Sequence, residues 1–230
     1  MDVIIIDARP EPLTIDPATG AVVVIDMQNG FGAPGGGLDH GGGDISVIRA
    51  AIEPTARVLA AARSAGLRVI YLRHGYAPDL SDMGEHDAKN WLVHAAAGVG
   101  TPLTAPDGTP GRVLIRDTWN TRVLDELTPE PGDIEIGKTR FSGFPGTDLD
   151  ATLRRLGIRT LVVTGCTTSI CVESTIRDAM FRDYRALLLE DCTGEPQGAE
   201  YHASSLALIE RNFGWVGDSA GFLRAVAAAG

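Results

Sequence analysis

Cysteine is scarce in this chain, and three cysteines among 230 residues cannot build a disulfide framework. Apolar runs are short, and none approaches the roughly 20 residues of a membrane-spanning helix. Residues 1–12 lack the charged, apolar and small-residue order of a signal peptide. Basic residues number 20 against 30 acidic ones, which gives a formal net charge of −10. Because nucleic acids and anionic membranes attract basic patches, we expect neither as a partner. The lack of a signal-peptide pattern and of a membrane-spanning run predicts a cytoplasmic protein.

The composition is otherwise that of a folded globular protein, with 44% hydrophobic and 22% charged residues. The length predicts a single domain over residues 1–230. Short runs rich in β-branched residues predict strands at residues 22–25, 67–72, 134–136, 160–164, 186–189 and 213–216. Apolar residues at helical spacing predict helices at residues 45–65, 149–156, 171–182, 199–212 and 220–228, and Pro54 would kink or split the first of them. This alternation predicts a three-layer α/β/α fold, doubly wound around a mostly parallel sheet of six strands.

Residues 73–118 interrupt this regular pattern. Prolines and glycines recur throughout the segment, among them Pro78, Gly84, Gly98 and Pro106. Long irregular segments in compact domains usually serve as lids or binding loops. We therefore predict that residues 73–118 form an irregular segment that covers a substrate.

Reactive residues follow three of the predicted strands, at the sheet edge where doubly wound folds bind their ligands. Asp26 follows the first strand, Lys138 follows the third, and Cys171 lies just beyond the fourth. If Cys171 begins a helix, unpaired N–H groups and the helix dipole stabilise its thiolate, and a nearby lysine lowers the thiol pKa further. A carboxylate accepts the thiol proton, and the N–H groups hold an oxyanion. These residue types suit acyl or carbamoyl transfer.

Each of these residues also has a simpler interpretation. An aspartate after a strand is commonly a turn residue, a lysine in that place is commonly solvated, and a cysteine is commonly a small buried hydrophobic residue. No single residue decides between the two interpretations. Their joint placement at one edge of the predicted sheet favours the catalytic one.

Three separated motifs resemble those of the isochorismatase-like cysteine hydrolases, and they occur in the order that this family has. They are residues 23–29 (VVIDMQN), Lys138 after residues 133–137 (DIEIG), and residues 165–175 (GCTTSICVEST). The similarity extends over about residues 15–222. It implies that Cys171 is the nucleophile, that Asp26 is the general base, and that Lys138 is their charge partner.

The same resemblance implies further features of the site. The peptide bond between Cys166 and Thr167 is expected to be cis, with the N–H groups of Thr167 and Cys171 as oxyanion donors. No cofactor is expected. Some relatives bind a metal through an Asp-x-His motif, which this chain lacks, so we predict no metal. Cys166 is the weaker candidate for the nucleophile, and Cys192 is expected to be structural.

Within the family, the chain is most similar to ureidoacrylate amidohydrolases, for example at residues 140–144 (RFSGF) and 213–216 (FGWV). A shorter similarity to biuret hydrolases includes residues 38–40 (LDH). The expected substrate is therefore a ureido acid such as ureidoacrylate, with biuret, another N-carbamoyl compound or a primary amide as alternatives. A catalytically silent binding or scaffold homologue is the alternative from another class. The vinyl-ether hydrolysis of true isochorismatases is disfavoured, because those enzymes lack the cysteine.

Substrate-binding candidates follow the first motif or lie within or just after the irregular segment. His74 and Tyr76 follow the second predicted strand at the ligand edge, and packing within the lid is their alternative role. The complete set of candidates is Phe31, His74, Tyr76, Asn90, Trp91 and Trp119. The family resemblance also favours a homo-oligomer, a dimer or a tetramer.

Overall fold

The computed structural model describes residues 3–230, which contain ten strands and nine α-helices. The strands are β1 (Ile4–Ile6), β2 (Leu13–Ile15), β3 (Gly20–Ile25), β4 (Arg68–His74), β5 (Pro102–Thr104), β6 (Pro110–Arg112), β7 (Ile134–Lys138), β8 (Thr160–Cys166), β9 (Arg185–Gly194) and β10 (Trp215–Gly217). The α-helices are α1 (Asn29–Gly32), α2 (Gly37–His40), α3 (Ser46–Ala50), α4 (Ile52–Ser64), α5 (Lys89–Ala96), α6 (Leu149–Arg155), α7 (Glu173–Met180), α8 (Ala199–Leu208) and α9 (Ser219–Ala229). The 3₁₀ helices Pro17–Thr19, Trp119–Thr121 and Asp125–Leu127 and the π-helical segments Thr168–Val172 and Ile209–Phe213 complete the assignment.

Six strands form one sheet in the order β10-β9-β8-β3-β4-β7, and every neighbouring pair is parallel. The chain builds the sheet outward from β3, first through β4 to β7 and then from β8 to β10. Strand order therefore reverses between β3 and β8. Helices pack on both faces, so the predicted three-layer α/β/α fold is confirmed. Open α/β sheets bind ligands at such a reversal, where Asp26 directly follows β3 and β8 ends in Cys166.

The fully buried strand β3 supplies both hydrophobic cores, because its side chains alternate between the two faces. Val22 and Val24 belong to the core beneath α4 and α9, whereas Val23 and Ile25 belong to the core beneath α6 and α7. Each core consists almost entirely of aliphatic and aromatic side chains. Burial on both faces explains why the strand sequences are continuous β-branched runs without alternation.

The predicted helix at residues 45–65 is two helices. The helix is interrupted at Ala51, which lies between α3 and α4, and Pro54 lies in the first turn of α4. A proline is tolerated there because the first N–H groups of a helix have no intrahelical acceptor. The expected break near Pro54 is therefore displaced to Ala51.

The segment at residues 73–118 is more regular than the sequence predicted. It contains α5 and an antiparallel hairpin of β5 and β6. A third hydrophobic cluster holds it together, formed by Tyr76, Met83, Val99, Leu103, Val113, Leu114 and Ile115. The prediction of a wholly irregular segment was wrong, and the single domain and the covering role of the segment stay predictions.

An additional antiparallel pair, β1 with β2, precedes the main sheet and was not predicted. Its buried residues Ile4, Ile6 and Ile15 join the core that α9 covers. Among residues 3–230, no helix combines the length and the apolar character that crossing a bilayer requires.

Candidate active site

Asp26 lies at the centre of the carboxyl edge of the sheet, directly after β3. Its backbone has a φ of 53°, in the left-handed region that few residues other than glycine adopt. The Asp26 N–H donates to the carbonyl of Leu72 at 3.0 Å, which holds the turn against β4. Because β3 lies between β4 and β8, the carboxylate is positioned between the ends of both neighbouring strands.

Lys138 reaches Asp26 from the end of β7. Its Nζ lies 2.7 Å from Asp26 Oδ2, and both side chains are at most 1% exposed. The ammonium also donates to the carbonyl of Arg140 at 3.1 Å and faces His74 Nδ1 at 3.4 Å. The pairing of β4 with β7 sets His74 beside Lys138. The lysine is therefore a buried cation held in place by its hydrogen-bonding partners, and not the solvated residue of the simpler interpretation.

Cys171 approaches the same point from β8. The peptide bond between Cys166 and Thr167 is cis, as the resemblance implied, and it leads into the π-helical segment Thr168–Val172. Cys171 Sγ, an Asp26 carboxylate oxygen and a His74 ring nitrogen all lie within 4.8 Å of one another. Lys138 and Asp26 both act on the pKa of this thiol, which the ammonium lowers and the carboxylate raises.

The position of Cys171 in its helix differs from the prediction. Cys171 lies inside the π-helical segment, and the α-helical turns of α7 begin at Glu173. The helical run therefore starts at Thr168, three residues before the predicted start. Cys171 is not at the start of an α-helix, as the sequence suggested.

Two contacts fasten the loop before Cys171 to the segment after β9. The Ser169 N–H donates to Glu195 Oε2 at 2.8 Å, and Thr168 Oγ1 lies 3.0 Å from His202 Nδ1. The same Glu195 carboxylate accepts the N–H of Gln197 at 3.1 Å. The loop that carries the cysteine is thus held by side chains far away in sequence.

Burial dominates the electrostatics of the thiol. It raises the pKa of Cys171, and Lys138 only partly offsets this effect. Burial likewise raises the pKa of Asp26 against the lowering effect of Lys138. Burial lowers the pKa of Lys138, but Asp26 and Cys171 outweigh it and the net pKa is raised. The expected lowering of the thiol pKa was therefore wrong, because burial raises this pKa by more than Lys138 lowers it.

His74 connects this group to Tyr76 through a single arrangement of protons. Lys138 Nζ can only donate, so His74 Nδ1 is the acceptor and Nε2 carries the proton. Nε2 then donates to the Tyr76 hydroxyl at 3.0 Å, and that hydroxyl donates to the carbonyl of Thr139 at 3.2 Å. Burial and the charge of Lys138 hold the pKa of His74 well below its usual value, which keeps the ring neutral.

A cavity of about 430 Å³ opens onto Cys171. Its lining comprises Phe31, His74, Val93, His94, Ala97, Leu114, Phe141, Thr167, Ile170, Cys171 and Gln197. The predicted residues Phe31 and His74 are among them, as is Thr167. His94, Phe141 and Gln197 also line the cavity and were not among the predicted site residues. Phe141 lies within the quoted motif at residues 140–144, whereas His94 looked like one of five scattered histidines.

Four predicted substrate-binding residues are not part of this lining. Tyr76 is fully buried behind His74, and Asn90 donates to the carbonyl of Met83 at 2.8 Å. Trp91 stacks on His86 with ring centroids 3.9 Å apart, and Trp119 packs against the core beneath α4. These four side chains contact residues 73–118 and the core and lie outside the cavity lining, so their role in substrate binding stays a prediction.

Asp26, His74 and Cys171 together present three potential metal ligands. Lys138 places a positive charge 2.7 Å from the carboxylate of this group, and a cation would be repelled there. A buried acid, thiol and ammonium in contact are better suited to proton transfer.

The other two cysteines do not line the cavity. Cys166 is fully buried, and its Sγ donates to the carbonyl of Asp26 at 3.2 Å. Cys192 is also fully buried, and burial raises the pKa of both thiols. Cys171 is the cysteine that borders the cavity, which favours it over Cys166 as the nucleophile.

A model of the isochorismatase domain matches residues 20–221 of the chain. The chain belongs to the isochorismatase family. The ureidoacrylate amidohydrolase RutB of Methylobacterium radiotolerans is 42% identical over 95% of this chain and 84% of its own length. The enzyme of the same name from Caulobacter vibrioides is 44% identical over 94% of both chains. These relatives bear out the expectation of a cysteine-dependent amidohydrolase.

Solved structures of the isochorismatase family agree with this assignment. A cysteine hydrolase from Pseudomonas syringae superposes with a TM-score of 0.79 at 32% identity, covering 94% of this chain and 96% of that one. The N-carbamoylsarcosine amidase from Thermoplasma acidophilum superposes with a TM-score of 0.66 at 26% identity, covering 87% and 96% of the two chains.

Proposed function

We propose that this isochorismatase-family protein hydrolyses a C–N bond of a small ureido or amide compound, with Cys171 as the nucleophile and no cofactor. One observation supports this most strongly. An acid, an ammonium and a thiol that follow three separate strands form one buried group, and the thiol of that group borders the cavity. Such groups are arranged for covalent catalysis with an internal base.

The first half-reaction begins when Asp26 takes the Cys171 proton and the thiolate attacks the substrate carbonyl. The oxyanion is held by the backbone N–H groups of Thr167 and Cys171, which both border the cavity. The C–N bond then breaks, and the departing nitrogen takes its proton from Asp26 and leaves as an amine or ammonia. Asp26 is thereby returned to its carboxylate form.

In the second half-reaction, Asp26 removes a proton from a water molecule, which attacks the thioester or thiocarbamate on Cys171. The C–S bond breaks, and the sulfur regains the proton from Asp26. Lys138 keeps Asp26 ionised between proton transfers, since its ammonium opposes the effect of burial on the carboxyl pKa. No proton or electron is left over after one turnover.

The names of the relatives favour a ureido acid such as ureidoacrylate as the substrate. A cavity of about 430 Å³ suits a molecule of that size. Neutral carbamoyl compounds such as biuret are the second candidate, and the cavity lining favours them: among the described residues, none of its lining residues is a lysine or an arginine. A carboxylate would have to reach the open end of the cavity to be solvated.

The test is an ammonia-release screen of N-carbamoyl-β-alanine, ureidoacrylate, biuret, propylurea and nicotinamide. We expect turnover of at least one ureido compound, and none above background with the Cys171→Ala variant. Absence of ammonia or amine release from every ureido compound would leave the silent binding homologue as the better interpretation.

The free cysteines, the net charge and the family resemblance support three further proposals. The three cysteines are free, which is typical of a reducing compartment such as the cytoplasm. A net charge of −10 disfavours nucleic acid and anionic membranes as partners. A homo-oligomer, a dimer or a tetramer, is proposed from the family resemblance.

A further inference from the structure

His94 is a buried histidine at the wall of the cavity. It lies on α5, is 5% exposed, and borders the same cavity as Cys171. Its ring packs against His74, Tyr76 and Phe141, with centroid separations of 5.0, 5.2 and 5.2 Å. These three neighbours fix the orientation of the imidazole.

The hydrogen bonding of His94 determines where its proton lies. Nδ1 is 2.6 Å from the carbonyl oxygen of Asn90, one helical turn earlier. A carbonyl oxygen can only accept, so Nδ1 carries the proton. Burial lowers the pKa of His94, and the charges of Lys138 and Arg140 lower it further, against the raising effect of the Asn90 carbonyl. The ring is therefore neutral at pH 7, and Nε2 holds a lone pair.

Within residues 3–230, no group donates a hydrogen bond to Nε2. The atom is also not fully enclosed by protein. It is thus the His94 nitrogen available to a ligand in the cavity. His74, the other histidine of the lining, differs in this respect, because both of its nitrogens face protein groups. An acceptor that is reachable from the cavity and has no donor in the protein can form a hydrogen bond with a ligand N–H.

We infer that His94 is a recognition residue whose Nε2 accepts a hydrogen bond from an N–H group of the substrate. This inference rests on the proposed amidohydrolase function and narrows its substrate class. The end of the substrate that enters toward α5 carries an N–H and no carboxylate, because a carboxylate would face a lone pair. A ureido acid would place its carboxylate away from α5, and Gln197 is an exposed lining residue that does not belong to this helix.

Two substitutions separate the acceptor from the packing of the ring. His94→Asn can keep a donor for the Asn90 carbonyl but has no acceptor at the position of Nε2. His94→Gln carries a side-chain oxygen that reaches the position of Nε2. Both are made in a Cys171→Ala background, so that binding of propylurea is measured by NMR titration without turnover. Thermal melting monitored by circular dichroism confirms that each variant is folded.

The expected result is a roughly tenfold weaker Kd for propylurea with Cys171→Ala/His94→Asn, the effect of one lost hydrogen bond. With Cys171→Ala/His94→Gln we expect a Kd within about threefold of the Cys171→Ala parent. Equal affinities for the parent and the asparagine variant, or equal losses with asparagine and glutamine, would overturn the inference alone. If the Cys171→Ala parent does not bind propylurea at all, the inference and the proposed ureido site fail together.

Discussion

Replacing Cys171 with alanine is expected to lower kcat by roughly five to six orders of magnitude, which leaves only uncatalysed turnover. The reason is that covalent catalysis has no second route in this site. Cys166 is fully buried and directs its sulfur at the Asp26 carbonyl, away from the cavity. The measurement is the rate of product release from the best substrate of the screen.

Cys166→Ala is the matched control, since it removes a thiol from the same loop five positions earlier. We expect it to retain kcat within about tenfold of the unsubstituted protein, because Cys166 is not a lining residue of the cavity and its loss removes packing and one hydrogen bond to the Asp26 carbonyl. The reverse pattern, with the Cys171 variant active and the Cys166 variant inactive, would assign the chemistry to Cys166.

Replacing Asp26 with asparagine is expected to lower kcat by about 10³- to 10⁴-fold, the contribution of a positioned general base. Burial raises the pKa of the Cys171 thiol, so the sulfur does not ionise without a proton acceptor in contact with it. The substitution also leaves the Lys138 ammonium buried without its counterion. We therefore expect the free energy of unfolding to fall by about 3–5 kcal/mol, to be measured by denaturant titration.

The pH dependence of the unsubstituted protein gives an independent check on Asp26. The carboxyl must be ionised to accept the thiol proton, and its pKa is raised above the ordinary 3.8 by burial. Consequently kcat/KM should be lost as pH falls through this raised value, and the acid limb should lie above pH 3.8. An acid limb at or below the ordinary value contradicts this role.

Asp133→Asn serves as the control for Asp26→Asn. The Asp133 side chain is 6% exposed and pairs at 2.6 Å with Arg63, which is 21% exposed, and neither residue lines the cavity. Loss of that buried pair should lower stability while kcat stays within about threefold of the unsubstituted value. A comparable loss of kcat in both variants would mean that the effect of Asp26→Asn comes from destabilisation.

The central sheet could be predicted because its strands are buried on both faces and are therefore rich in β-branched residues. The ends of the strands were less predictable. β4, β7 and β8 each continue to a polar or reactive residue, His74, Lys138 and Cys166, beyond the apolar run that marks the strand. The pair of β1 and β2 escaped notice because three-residue strands are stable only through their packing against α9.

The positions of the three reactive residues could be predicted, because the carboxyl ends of parallel strands share one edge. Their protonation could not. The sequence suggested a stabilised thiolate from the helix start and the lysine, whereas the fold encloses the sulfur and makes desolvation the larger effect. Whether a side chain is excluded from solvent depends on which distant segments cover it, and a local sequence pattern does not indicate this.

The positions of side chains in residues 73–118 were equally hard to predict from the sequence. Tyr76, Asn90 and Trp91 lie near the site in sequence, yet they fill and brace the third hydrophobic cluster and its surroundings. His94 looked unremarkable because its role depends on the face of α5 that packs over the sheet edge. Periodicity places His94 one turn after Asn90 but does not say which side of the helix faces the cavity.

Alkylation with iodoacetamide, followed by peptide mapping in a mass spectrometer, tests the central claim most directly. The account predicts that modification of Cys171 parallels the loss of activity mole for mole, while the fully buried Cys166 and Cys192 remain unmodified in the folded protein. Full activity with Cys171 completely alkylated, or inactivation that follows Cys166 or Cys192 instead, would contradict the assignment of Cys171 as the nucleophile.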